Sequence, residues 1–358
     1  MRCGSFDNRP MRWDVFCRVV DNFGDIGFAW RLAADLAGRG ESVRLLVDDA
    51  SALAWLEPAG AAVQVAGWEA ARRAAPDVRV ETFGCGVPEL LVGADDALHV
   101  NVEHLSAERF VDRSHGLPSP RQVDGRTITT WFYYPGFVPG TGGLLREPGL
   151  LARRASFGDG RDWLAAHDIA RRDAERCVSL FCYAEAALPA WLELLAREPT
   201  LLLLAPGPAE QAATLLGPSL RRGGLRAIRL PFLDQDEYDR LLWSCDLNVV
   251  RGEDSLVRAI WAGAPFLWQL YPQADGAHRP KLAAFLGRLL AGAPPGLAAP
   301  VEALFGRLNG SPCASAEAAD LSWPETGAWA RHCRGWRDRL AALPDLTTGL
   351  LGFVASKR

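Results

Sequence analysis

The sequence has no CxxC pair among its eight cysteines, no HExxH or HxxxH among its six histidines, and no apolar run that could span a bilayer. Cys3, Cys17, Cys85, Cys177, Cys182, Cys245, Cys313 and Cys333 sit mostly in apolar runs, which reads as reduced, buried thiols of a cytoplasmic protein. The scattered histidines lack the usual zinc signatures, so no zinc site is expected. Runs such as "TLLLLAPG" are far too short for a membrane helix, so no membrane partner is expected. The opening "MRCGSFDNRPMRW" lacks the apolar core of a secretory signal. A basic excess is missing too. The formal net charge is -4, so nothing advertises nucleic-acid binding, and a basic protein or basic side chain is the better-matched partner.

What is present describes a soluble α/β protein. At 358 residues the chain is long enough for two domains. It is 49% hydrophobic and 23% charged, the profile of a globular chain. Its 13 tryptophans fit core or interdomain packing, because indole buries a large area.

Strand and helix patterns alternate along the first part. "WDVFCRVV" (13–20) reads as a strand, "GFAWRLAADLAGRG" (27–40) as a helix ended by Gly38 or Gly40, and "SVRLLVDD" (42–49) as a strand. A short helix "ALAWLEP" and strands "AAVQVAGW" and "ALHVNVEHL" follow. Residues 112–160 are rich in glycine, proline and aromatics and break the rhythm, as a functional loop or a linker would. "YYPGFVPGTGG" within them is a candidate lid. The rhythm resumes at "RCVSLFCY" (176–183) and runs to "PFLWQLYP". Two doubly wound Rossmann-like halves are therefore expected, 1–170 and 171–339, with the terminal helix 340–358 crossing back to the first.

The most informative stretch is "CDLNVVRGEDSLVRAIWAGAPFLW" (245–268). A strand ends at Arg251-Gly252 and a helix starts at Glu253-Asp254-Ser255. Gly252 permits an unusual backbone angle or close approach. A helix start offers unpaired N–H groups suited to a diphosphate, and Arg251 adds a bidentate charged contact. Ser255 carries a hydroxyl donor, and Glu253 or Asp254 can accept from a ribose or sugar hydroxyl. Ordinary helix capping explains the acids and the serine, but it leaves Arg251-Gly252 unexplained. The first loop, "DNFGDIG", lacks GxGxxG, which disfavours a dinucleotide dehydrogenase.

Together with "FCRVVDNFGDIGFAWRLAADL", "NVEHLSAE", "HGLPSP" and "YYPGFVPGTGGLLRE", this stretch resembles the elongation factor P maturation arginine rhamnosyltransferase family. The likeness spans nearly the whole chain. Departures are Leu256, where the family pattern has an aromatic, and the extra "MRCGSFDNRP". The resemblance implies a GT-B glycosyltransferase of two Rossmann-like domains facing a cleft. It implies inverting transfer of L-rhamnose from dTDP-β-L-rhamnose to an arginine of elongation factor P, activating that factor for polyproline-stalled ribosomes, without metal or cofactor. It places the donor on Arg251, Gly252, Glu253, Asp254, Ser255 and Tyr183. Phe232 would stack on thymine and Gln235 would pair with its edge. Without the resemblance, Phe232 also reads as a core aromatic and Gln235 as a helix-start residue.

Asp21 and Asp25 carry the catalytic expectation. A guanidinium is cationic at working pH and its lone pair is delocalised. A carboxylate must orient it and take its proton as the new bond forms. Asp25 is assigned as the base and Asp21 as its partner, with Asn22, Phe23 and Gly24 lining the acceptor side. Asp25 as a helix cap and Asp21-Asn22 as turn chemistry are the plain structural alternatives. Rival functions are a GT-B enzyme with a small-molecule or lipid acceptor, and a non-catalytic nucleotide-binding scaffold.

Overall fold

The computed structural model describes residues 9–20, 23–57, 61–88, 91, 95–123, 125–183, 188–271, 276, 278–310 and 323–358. The chain divides into two compact units. The first holds Met1–Leu105, Arg109–Glu147 and Pro344–Arg358, and the second Ser106–Glu108 and Pro148–Leu343.

The first unit is built on strands β1 (Arg12–Cys17), β2 (Ser42–Val47), β3 (Val63–Ala66), β4 (Val78–Thr82), β5 (Leu98–Val102), β6 (Pro118–Val123) and β7 (Arg126–Tyr133). Their order in the sheet is β3-β2-β1-β4-β5-β7-β6, parallel except for the β6–β7 hairpin. Side chains alternate faces along a strand. Trp13, Val15 and Cys17 accordingly pack with Ile26, Trp30 and Leu32 of the helix Gly24–Gly38 and with Leu346, Leu350 and Val354 of the helix Leu346–Lys357. Phe16 packs on the other face with Leu46, Ala70 and Cys85. That face also carries a row of charges in register across four strands: Arg44, Asp14, Arg79 and His99. Asp14 takes two 2.7 Å bonds from Arg44, and Arg79 pairs with Asp95 at 2.8 Å, so the buried charges are matched.

The second unit has β8 (Arg176–Leu180), β9 (Thr200–Leu204), β10 (Arg221–Arg222), β11 (Leu225–Arg229), β12 (Leu247–Arg251) and β13 (Phe266–Gln269). Their order is β10-β11-β9-β8-β12-β13, parallel except at β10. The "TLLLL" strand, β9, four leucines after a threonine, is fully buried, as a central parallel strand with both faces covered should be.

Three expectations need correction. Residues 112–160 are not a break in the fold, since β6 and β7 extend the first sheet and a helix spans Leu150–Ser156. Pro118 and Pro120 hid β6 from the sequence pattern, and they are tolerated because β6 is an edge strand. The change of unit falls at Glu147–Pro148, not near residue 170, because Trp163, Leu164 and Ile169 pack with Cys177, Leu201 and Leu241. The candidate lid "YYPGFVPGTGG" is a packed clasp. Tyr133 is 1% exposed and its hydroxyl reaches the Gly142 and Leu346 carbonyls at 3.4 and 3.3 Å. The Leu346 N–H donates to the Leu144 carbonyl at 3.0 Å, tying the clasp to the terminal helix. β4 matches no expected strand at all, because "VRVET" alternates apolar and charged residues while lying wholly buried.

Candidate active site

In open α/β sheets ligands bind beyond the carboxyl ends of the strands, where the strand order reverses. In the first unit that place lies between β1 and β4. Beyond β1, the Val19 N–H donates to Asp48 Oδ1 at 3.0 Å and the Val20 N–H to Asp25 Oδ2 at 2.8 Å. Two carboxylates thus hold two consecutive amides of the loop. Asp25 is half-buried and is the second residue of the helix Gly24–Gly38, which Phe23 precedes without a side-chain cap. The helix starts three residues earlier than its apolar pattern, and Asp25 is not its capping residue. Burial, and then the Asp25 carboxylate, push the Cys17 thiol up to about 12. Phe23 packs edge-on against Trp55 at 4.8 Å, and Gly24 opens the helix. Asp21 and Asn22 lie outside the described residues.

Sequence reasoning missed Phe83. It follows β4 with φ +59°, a backbone state rare for a bulky residue, and it stacks on His104 at 4.4 Å. Such strain concentrates at functional sites.

In the second unit the order reverses between β8 and β12. The residues beyond these two strands are Phe181 to Tyr183 and Gly252 to Ser255. Arg251 closes β12 and is 5% exposed. Its guanidinium carbon lies 4.5 Å from the Phe181 ring centre and 4.6 Å from that of Tyr183. No carboxylate among the described residues pairs with it. Two aromatic rings desolvate this cation and attract it, but they do not satisfy its in-plane N–H donors.

The turn after Arg251 is held from below. Gly252 has φ +62°, a left-handed state that favours glycine, and its carbonyl accepts the Trp268 indole N–H at 2.7 Å. Glu253 pairs with Lys281 at 2.7 Å, which offsets its charge beside the start of the helix Asp254–Ala262. Asp254 is the first residue of that helix. The Ser255 hydroxyl turns back to donate to the Arg251 carbonyl, so in this structure it faces its own helix. Tyr238 lies against Phe181 at 5.9 Å, and burial raises its phenol well above the ordinary 10.

The structure therefore brings Tyr183, Arg251, Gly252, Glu253, Asp254 and Ser255 together. Phe232 is 52% exposed on the loop after β11, which rules out the core alternative. Gln235 is buried and opens the helix Gln235–Ser244, one turn before Tyr238. Residues that the sequence did not single out are Phe181, Trp268, Gln269 and Lys281. Phe181 could have been found from its place two residues before Tyr183 at the end of a strand. Among the described residues, no group of three His, Cys, Asp or Glu side chains could hold a metal ion, and no helix is long and apolar enough to cross a membrane.

A cation with no counterion among the described residues at one reversal point, and a carboxylate pinned at the other, suit an anionic ligand and a cationic one. The family model for the elongation factor P (EF-P) rhamnosyltransferase EarP matches residues 13–355. The chain belongs to the EarP family. A protein-arginine rhamnosyltransferase of Pseudomonas aeruginosa is 42% identical over 96% of this chain and 98% of its own length. One from Neisseria meningitidis is 32% identical over 95% of this chain and 96% of its own length. A solved EarP structure, described as the basis for EarP-mediated arginine glycosylation of translation elongation factor EF-P, has a TM-score of 0.69 and 33% identity, covering 97% of this chain and all of that one. The glycosyltransferase SnogD from Streptomyces nogalater has a TM-score of 0.53 at 16% identity, over 97% of this chain and all of that one, a likeness of fold alone. The fold is GT-B, and this member of the EarP family is a glycosyltransferase of the protein-arginine rhamnosyltransferase kind.

Proposed function

We propose that this chain transfers L-rhamnose from dTDP-β-L-rhamnose to an arginine side chain of elongation factor P, with inversion at the anomeric carbon. The observation that carries the reading is Arg251, a nearly buried guanidinium at the reversal point of the second sheet that has no carboxylate partner among the described residues. A diphosphate is the ligand that such a cation and the adjoining helix start would hold. Tyr183 and Phe181 shape the walls, Glu253 or Asp254 takes a sugar hydroxyl, Phe232 stacks on thymine and Gln235 reads its edge. Ser255 serves through its hold on the Arg251 carbonyl.

The acceptor is a cation, and Asp25 is the carboxylate that meets it. One guanidinium nitrogen forms the bond to C1 of rhamnose as the C1–O bond to the diphosphate breaks. The nitrogen's proton passes to the Asp25 carboxylate, and the electron pair of the broken bond leaves with dTDP. Arg251 and the helix start meet the charge that develops on the leaving group. Asp21 is assigned to orient the guanidinium, with Asn22, Phe23 and Gly24 around it. The scheme calls for no metal or cofactor, and a translation factor as acceptor implies a cytoplasmic enzyme. Incubating the protein with dTDP-β-L-rhamnose and elongation factor P tests this reading. A mass gain of one rhamnose on the factor's arginine is expected, and an unmodified factor refutes it.

A further inference from the structure

Gln269 ends β13 in register with Arg251 on β12, so the two side chains share a face of the sheet at its carboxyl edge. Its Oε1 accepts the Tyr183 backbone N–H at 2.7 Å. That bond fixes the residue whose ring lies on the Arg251 guanidinium. The other arm of the amide is unsatisfied. Gln269 is 0% exposed, and its Nε2 is buried without an acceptor among the described residues. Leaving a buried donor unpaired is costly, and natural structures seldom keep one without a use. A leucine or methionine would fill the same place in "FLWQL" without that cost, and neither could hold the Tyr183 amide.

We infer that Gln269 is a donor-site residue whose Nε2 donates a hydrogen bond to an oxygen of the sugar diphosphate held by Arg251. The inference rests on the reading of the second unit as the donor site. One side chain then does two things. Its oxygen fixes the Tyr183 wall, and its nitrogen adds an N–H donor beside the guanidinium. The missing acceptor arrives with the ligand, so the orphaned donor is satisfied only in the complex.

Selective glutamine ¹⁵N labelling gives the direct test. The Gln269 side-chain amide signal, assigned by its loss in Gln269→Glu, should move on titration of the wild-type protein with dTDP-β-L-rhamnose and stay in place with thymidine. Calorimetry on Gln269→Leu should show about tenfold or greater loss of affinity for dTDP-β-L-rhamnose, the size expected for a hydrogen bond to a charged group. Thymidine binding, followed by ligand-observed NMR, should be unchanged. The inference fails if the wild-type signal stays still at saturation, if the leucine variant binds the donor as before, or if it loses donor and thymidine alike. Should Gln269→Leu not fold, the wild-type titration alone decides. A wild-type protein that binds no dTDP-β-L-rhamnose refutes the donor-site reading itself, which separates the two failures.

Discussion

The Asp25 carboxylate accepts the Val20 backbone N–H at 2.8 Å, reaching back from the first turn of its helix to the loop that leaves β1. One oxygen is thereby fixed in direction. A base so held meets an incoming guanidinium with little reorganisation. Asp25→Asn keeps an oxygen for the Val20 amide and removes the charge and the proton acceptor. We expect intact folding, unchanged dTDP affinity and about 10²–10⁴-fold slower transfer, the usual worth of a general base. Single-turnover rates on elongation factor P check this, and near-normal transfer excludes Asp25 as the base.

Arg251 is held between the rings of Phe181 and Tyr183, so its planar shape matters as much as its charge. Arg251→Ala should weaken dTDP binding about tenfold to a hundredfold, in line with the loss of a charged hydrogen-bonding group. Arg251→Lys should restore little of it, because an ammonium lacks the planar fork. Calorimetry with dTDP decides, and equal affinity across the three proteins removes the phosphate role.

Phe232 is half-exposed, so its loss should cost the fold little. Phe232→Ala is expected to shift stability by no more than about 0.5 kcal/mol, as at ordinary surface positions. It should still weaken dTDP binding by about 1–3 kcal/mol if the ring stacks on the base. Denaturation and calorimetry on the same preparation separate the two effects. A large loss of stability with unchanged affinity reverses the assignment.

The legible parts of the fold were those where burial and pattern agree. β9 is buried throughout and carries four leucines in a row, so its sequence gives it away. β4 and β6 break that agreement: β4 buries Arg79 and Glu81 through pairing and backbone contacts, and β6 is an edge strand with two prolines. Of the site, Arg251-Gly252 was readable because a strand, a charge, a glycine and a helix start are contiguous. Gln269 and Lys281 were not, because each acts through a contact with a residue distant in sequence. Lys281, for one, meets Glu253 across 28 positions.

The clasp around Gly143 makes a stability prediction. Gly143 has φ +70°, and an added Cβ would lie 2.3 Å from the Pro344 carbonyl oxygen. The backbone state alone costs a residue with a Cβ about 1–2 kcal/mol, and the clash adds to it. Gly143→Ala should lower the melting temperature by several degrees and raise protease cleavage between Pro344 and the terminal helix. Gly140→Ala is the control. Its φ is +90° but no atom lies within 4 Å of the new Cβ, so it should show the backbone penalty without the clash.

His99 makes a prediction about acid. Its Nε2 faces Arg79 Nη1 at 3.1 Å, and Arg79 is itself held by Asp95. A guanidinium only donates, so Nε2 accepts and the proton sits on Nδ1. Burial first, and the Arg79 charge second, hold the imidazole down at about 4 against an ordinary 6.5; Arg121 acts in the same direction and Asp95 opposes. Between those values the unfolded chain binds a proton that the folded one refuses, so stability rises with pH across the window. The contribution of His99 is therefore complete above pH 6.5 and is lost as the pH falls towards 4. His99→Gln removes the titration and keeps an acceptor for Arg79. Urea midpoints measured from pH 7 to 4.5 should fall less steeply for the variant than for the wild type, and parallel curves would show that His99 titrates alike in the folded and unfolded chain.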